Sequence, residues 1–209
     1  MSLQSHVIER ITKCKSNHLE LTAGCGIIQS NIPELCDLLK KFPHINSLTL
    51  EGNGINNDDA TLLAQILPLH IRSLDLTKTC ISTAGAVALL TNKNLSRLIL
   101  EGNNGITDAI VDAIEKADHL TFINLQYIHL TPPAVERIKV KVESNNARLH
   151  SETNETNKLP PRNCVIYSEP GYCKTTMGGL GKFAKFFPTE KLANTEEKES
   201  TQQTLFKRP

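Results

Sequence analysis

Thiols and imidazoles are the side chains of this chain best suited to act as nucleophiles, bases or metal ligands. The 209 residues hold six cysteines (Cys14, Cys25, Cys36, Cys80, Cys164, Cys173) and seven histidines (His6, His18, His44, His70, His119, His129, His150). A zinc site needs several of them converging at characteristic spacings. Cys14, His18, Cys25 and Cys36 are the one candidate group, and their spacings fit no zinc signature, so neither a metal nor a cofactor is expected. No CxxC pair occurs, and with no export signal the cysteines read as reduced thiols of a cytoplasmic compartment. Cys36 and Cys80 read as small apolar fillers in or beside a core. A phosphate loop fails in the glycine-rich stretch 177–188: Thr176 stands where that motif needs glycine, and Phe183 where it needs serine or threonine. His44, His70 and His119 lie at the start of apolar segments and read as polar edge residues. The one enzyme reading is a small enzyme with a reactive tail cysteine, Cys164 or Cys173. Such a thiol needs an activating neighbour, and no His or Asp pattern accompanies either one. The expectation is a protein that is not an enzyme.

The elements around these residues are repeated. In 45–55, 71–81, 95–106 and 120–130, apolar residues recur at the first, fourth and sixth places: Ile45, Leu48, Leu50; Ile71, Leu74, Leu76; Leu95, Leu98, Leu100; Leu120, Ile123, Leu125. The ninth place holds Asn53, Thr79, Asn103 and Ile128, and a closing apolar residue follows: Ile55, Ile81, Ile106, Leu130. A degenerate earlier copy carries Leu19, Leu21 and Ile27, with Gly24 at the ninth place. Such alternation predicts a short strand with one buried face. Beyond each closing residue, apolar side chains stand three apart (Ile32 and Leu35, Ala60 and Leu63, Ala86 and Leu89, Val111 and Ile114, Val135 and Ile138). That spacing predicts a short amphipathic helix. Ser30 or Asn31, Asp58, Ser82 or Thr83, Thr107 and Thr131 supply helix starts.

Each unit is therefore strand, turn, helix, and the chain resembles the leucine-rich repeat family in its ribonuclease-inhibitor-like form. The resemblance covers residues 17–144 in about five copies. It implies an α/β solenoid with a curved parallel sheet inside and helices outside. In that family the ninth-place asparagine satisfies backbone groups between turns; Thr79 partly substitutes, while Gly24 and Ile128 cannot. The alternative is an ordinary doubly wound α/β domain, whose crossovers need longer units. Residues 1–16 are expected to form a capping helix with Val7, Ile8 and Ile11 on one face; a free membrane helix would need a longer apolar face.

Composition fits this reading. The chain is 39% hydrophobic and 4% aromatic, with no tryptophan, so its core must be aliphatic. A net charge of +1 excludes a nucleic-acid binder held by bulk electrostatics. No apolar run is long enough to span a bilayer.

Residues 145–209 are expected to be a polar linker and largely flexible tail. The charges divide: 13 basic against 15 acidic side chains over 1–144, and 10 against 7 over 145–209. Cys164 and Cys173 flank a strand-like start and a Pro-Gly turn, as paired or free thiols. Lys182 and Lys185 interleave with Phe183, Phe186 and Phe187, which either cap the last repeat or dock on a partner or an anionic membrane surface. The end of the chain, with Glu196, Glu197 and Glu199, looks like the C-terminal signals of effectors that bacteria inject through type IV secretion. That resemblance implies a protein secreted into the host-cell cytoplasm without a signal peptide, acting on a host protein.

In a solenoid the outward side chains of the strands line the concave face. Copy by copy they are Glu20 and Thr22, Thr49 and Glu51, Asp75 and Thr77, Ile99 and Glu101, Asn124 and Gln126, with Arg72, Arg97, Phe122 and Tyr127 on the rim. Four carboxylates make this face acidic, and Ile99, Phe122 and Tyr127 make one end apolar. The expected function is protein binding through this face, to a partner with a basic surface.

Overall fold

The computed structural model describes residues 2–153 together with Val165 and Ile166. Strands and helices alternate: α1 (Ser5–Lys13), β1 (His18–Glu20), α2 (Ile32–Leu39), β2 (Ser47–Thr49), α3 (Asn57–Ile66), β3 (Ser73–Asp75), α4 (Thr83–Leu90), β4 (Arg97–Ile99), α5 (Val111–Glu115), β5 (Phe122–Asn124), α6 (Pro132–Thr153) and β6 (Val165–Ile166). The strands form one parallel sheet in the order β1-β2-β3-β4-β5-β6. Sequential neighbours joined by helices are solenoid topology, and the doubly wound alternative is excluded.

The register stacks equivalent residues. Leu19, Leu48, Leu74, Leu98 and Ile123 pair in turn across the first five strands. Each points inward and is at most 3% exposed. The helices contribute their own stripes to the same core, including Ile32, Leu35, Ala60, Leu63, Ala86, Leu89, Val111 and Ile114. This is the three-residue spacing seen in the sequence, and it fills the thin gap between helix and sheet with aliphatic atoms.

Several local expectations shift. The α3 start is Asn56 rather than Asp58: its Oδ1 accepts from Asp58 N (2.8 Å) and Asp59 N (3.1 Å), while Asp59 Oδ2 accepts from Asn56 N (2.9 Å). This reciprocal box satisfies three orphan backbone donors at once. In the fifth unit Ala134 is buried, not Val135, and Ile138 and Val142 continue its face. The reason is that α6 begins at Pro132, and residues 134, 138 and 142 then share one side by the four-residue rule. In α1, Val7 and Ile11 are fully buried and Leu3 joins them, but Ile8 is turned to solvent.

Residues 145–153, expected to belong to a linker, are the continuation of α6. Buried Asn145 donates to Ala117 O (2.9 Å) and Leu120 O (2.8 Å), and Asn146 donates to Thr121 O (2.9 Å). Polar residues here cap carbonyls that no further full turn would meet, so polarity does not mean solvation. Cys164, Cys173, Lys182, Phe183, Lys185, Phe186, Phe187 and the terminal glutamates lie outside the described residues. Among the described residues no helix is long and apolar enough to cross a membrane.

Candidate functional site: the outward face of the sheet

Two backbone ladders hold the strands at a fixed spacing. One steps through carbonyls that each accept two N–H groups from the next turn: Asn17 O from Asn46 and Ser47, Asn46 O from Arg72 and Ser73, Arg72 O from Ser96 and Arg97, Ser96 O from Thr121 and Phe122. Asn146 of α6 ends this series with a side-chain amide in place of backbone. The other ladder runs past the strand ends, with Gly52 N donating to Thr77 O, Lys78 N to Glu101 O and Gly102 N to Gln126 O.

The ninth-place side chains tie adjacent turns together. Asn53 Nδ2 donates to Leu21 O (2.7 Å) and Leu50 O (3.0 Å), and its Oδ1 accepts from Ile27 N (2.9 Å). Asn103 does the same for Leu76 O (2.8 Å), Leu100 O (2.9 Å) and Ile81 N (3.3 Å). Thr79 donates to Leu76 O in its own turn and reaches no carbonyl of the turn before. Its Oγ1 instead lies 2.9 Å from Asn103 Oδ1, so it substitutes only in part.

Between these fixtures the outward side chains form three rows. The first is His18, Ser47, Ser73, Arg97 and Phe122; the second is Glu20, Thr49, Asp75, Ile99 and Asn124. The third follows one alternation later, with Thr22, Glu51, Thr77, Glu101 and Gln126. Arg97 and Phe122, expected on the rim, are strand residues of the first row, and the guanidinium lies 4.0 Å over the Phe122 ring. Such stacking positions a cation and buries an aromatic face. His18, Ser47 and Ser73 are not among the face residues read from the sequence, although each stands two residues before one that is. The period of two carried that signal.

The carboxylates are less available than composition implies. Asp75 Oδ1 accepts from Thr77 N (2.9 Å) and Thr77 Oγ1 (2.7 Å). Burial pushes the Asp75 carboxyl above its ordinary range, and the Thr77 hydrogen bonds hold that rise back. Asn124 Oδ1 makes the same two-residue turn with Gln126 N (2.9 Å), and its Nδ2 donates to Glu101 Oε2 (3.2 Å). Glu51 lies 4.0 Å from Lys78 Nζ. Thr49, Thr77, Phe122 and Asn124 are buried within the face, whereas Glu20 is exposed.

Lys78 and Tyr127 add a feature absent from the sequence reading. Both adopt left-handed backbone (φ 52° and 57°) at the turn position that Gly52 and Gly102 occupy elsewhere. Side chains there cost about 1–2 kcal/mol, and both are presented outward beside the third row.

The remaining chemical candidates do not converge. Among the described residues no group of three or more His, Cys, Asp or Glu is placed to hold a metal ion. Cys25 and Cys36 are buried, and burial pushes the Cys36 thiol up to about 12. Cys80, expected as a filler, is exposed.

The class that this architecture defines is the leucine-rich repeat solenoid. The Leucine Rich repeat family model matches residues 68–90 and 91–114, windows that hold β3 with α4 and β4 with all but the last residue of α5. Among solved structures, leiomodin-1 actin-binding site 2 is similar with a TM-score of 0.58 and 15% identity, covering 71% of this chain and 92% of that one. The tropomodulin C-terminal domain of Caenorhabditis elegans is similar with a TM-score of 0.53 and 13% identity, covering 71% and 96%. No curated protein sequence matches the chain. At these identities the likeness shows the fold.

Proposed function

We propose that this chain is a protein-binding module that takes its partner on the outward face of β1–β5. One observation carries the reading: the core joins the inward strand residues to the helix stripes and includes no outward-row side chain. The outward rows are therefore free of packing against the helices while their spacing is fixed by the ladders. A sheet face presented this way is how solenoids bind. Glu20, Glu51, Asp75 and Glu101 favour a partner with a basic surface, and the Ile99, Arg97 and Phe122 end supplies an anchor. The leiomodin-1 neighbour is an actin-binding site, so purified actin is the first partner to assay. The finer reading is a secreted effector acting on a host protein, supported by Glu196, Glu197 and Glu199 near the C terminus. The 182–187 segment would add a second contact with the partner or an anionic membrane.

Co-sedimentation with actin and affinity capture from host-cell lysate test the face, with Glu51→Lys/Glu101→Lys as control. Loss of the captured protein in the variant supports the reading. Retention of the same partners at the same strength overturns it.

A further inference from the structure

The repeat places an imidazole at one edge of the solenoid. His44, His70 and His119 each directly precede the first inward residue of their turn, Ile45, Ile71 and Leu120, and Asn94 holds the same place before Leu95. This column adjoins the bifurcated ladder, since the accepting carbonyls of Asn46, Arg72 and Thr121 lie two residues further on. His44 Nε2 lies 2.9 Å from Cys14 O. The Nε2 atoms of His70 and His119 are shielded from solvent and have no hydrogen-bond partner. A neutral imidazole tolerates this, because one of its nitrogens carries no proton; an imidazolium has two N–H groups to satisfy.

The neighbours offer little compensation. The Leu39 backbone favours a charged His70 ring, while burial and the nearby His44 oppose it. Asp118 favours a charged His119 ring and Lys93 opposes it, and Asp118 is already ion-paired with Lys141. Burial is the leading influence on both rings and lowers their proton affinity.

We propose that this histidine column makes the solenoid acid-sensitive, with protonation of His70 and His119 loosening the edge that sets the spacing of the outward rows. The direction follows from linkage. Rings that bind protons more weakly when folded give stability that is complete above the ordinary histidine value of about 6.5. That stability is lost as pH falls through this value toward the folded one. The paired carboxylates act in a lower range, since Asp108, Glu115 and Asp118 are all held below their ordinary values by hydrogen bonds.

The fourth turn supplies the control. Asn94 is neutral and fits the same place, its N–H donating to Asn92 Oδ1 (3.0 Å) and its carbonyl accepting from Arg72 Nη1 (3.4 Å). The test is denaturant unfolding of the full chain between pH 7.5 and 5.5, for the natural sequence and for His70→Asn/His119→Asn. The natural chain should become less stable toward acid, and the variant should take up fewer protons on unfolding, by up to about two. Flat stability across this range in the natural chain, or an unchanged slope in the variant, overturns the proposal. If the variant does not fold, NMR titration of the natural chain decides. Two imidazoles titrating below the ordinary range support the proposal, and all seven titrating within it overturn it.

Discussion

Leu19, Leu48, Leu74, Leu98 and Ile123 form one column of the sheet; one residue later, Glu20, Thr49, Asp75, Ile99 and Asn124 form another. The first column is one chemistry repeated, and the second is five different side chains. Both are positioned by the same backbone hydrogen bonds. The difference teaches how a repeat divides its labour. An inward residue must fill a gap of fixed width against a helix, so only an aliphatic of similar size fits. An outward residue meets no helix, so its identity is open to whatever the face must contact. Asn53 and Asn103 belong with the inward column, because their buried amides each satisfy carbonyls of two successive turns.

If that division is right, substitutions should separate by row. Leu74→Ala carries the largest expected effect, a loss of about 2–5 kcal/mol from the cavity it opens, measured by denaturant or thermal unfolding. An unchanged midpoint would remove Leu74 from the core. Asn103→Ala comes next, since it strands buried groups of two turns at about 1–3 kcal/mol; Thr79→Ala, which bridges less, should cost less in the same assay. Lys78→Gly should raise stability by about 1 kcal/mol through relief of the left-handed backbone, and a drop in melting temperature would contradict that geometry. Glu51→Lys/Glu101→Lys should change stability least, by under about 1 kcal/mol for the lost Asn124–Glu101 hydrogen bond and Lys78–Glu51 contact, while circular dichroism stays unaltered.

The inward half of this scheme was legible in the sequence because burial is periodic. The leucine column and the helix stripes at Ala60/Leu63 and Ala86/Leu89 follow from spacing, and the role of Asn53 and Asn103 follows from the family that the spacing resembles. What spacing does not reveal is competition among polar groups. Asn56 and Asp58 both stand where α3 begins, and the choice falls to Asn56 because Asp59 can close the box with it. Asn145 and Asn146 read as linker residues because their composition is polar, yet their amides complete the last turn. The face was legible as a set of residues but not as an electrostatic surface. Asp75 is engaged by Thr77, Glu101 by Asn124, and Arg97 stacks within the rows instead of at their border. Those pairings depend on which neighbours the register brings alongside, and that is a tertiary property.

The central claim is that the outward rows bind and the helical side does not. Its most direct measurement compares affinity for one captured partner across the natural chain, Glu51→Lys/Glu101→Lys, and Glu136→Lys on the exposed side of α6. The account predicts that the face variant loses binding by at least about tenfold, or 1.4 kcal/mol, while the α6 variant binds as the natural chain does. Equal binding by the face variant, or loss confined to the α6 variant, would contradict it.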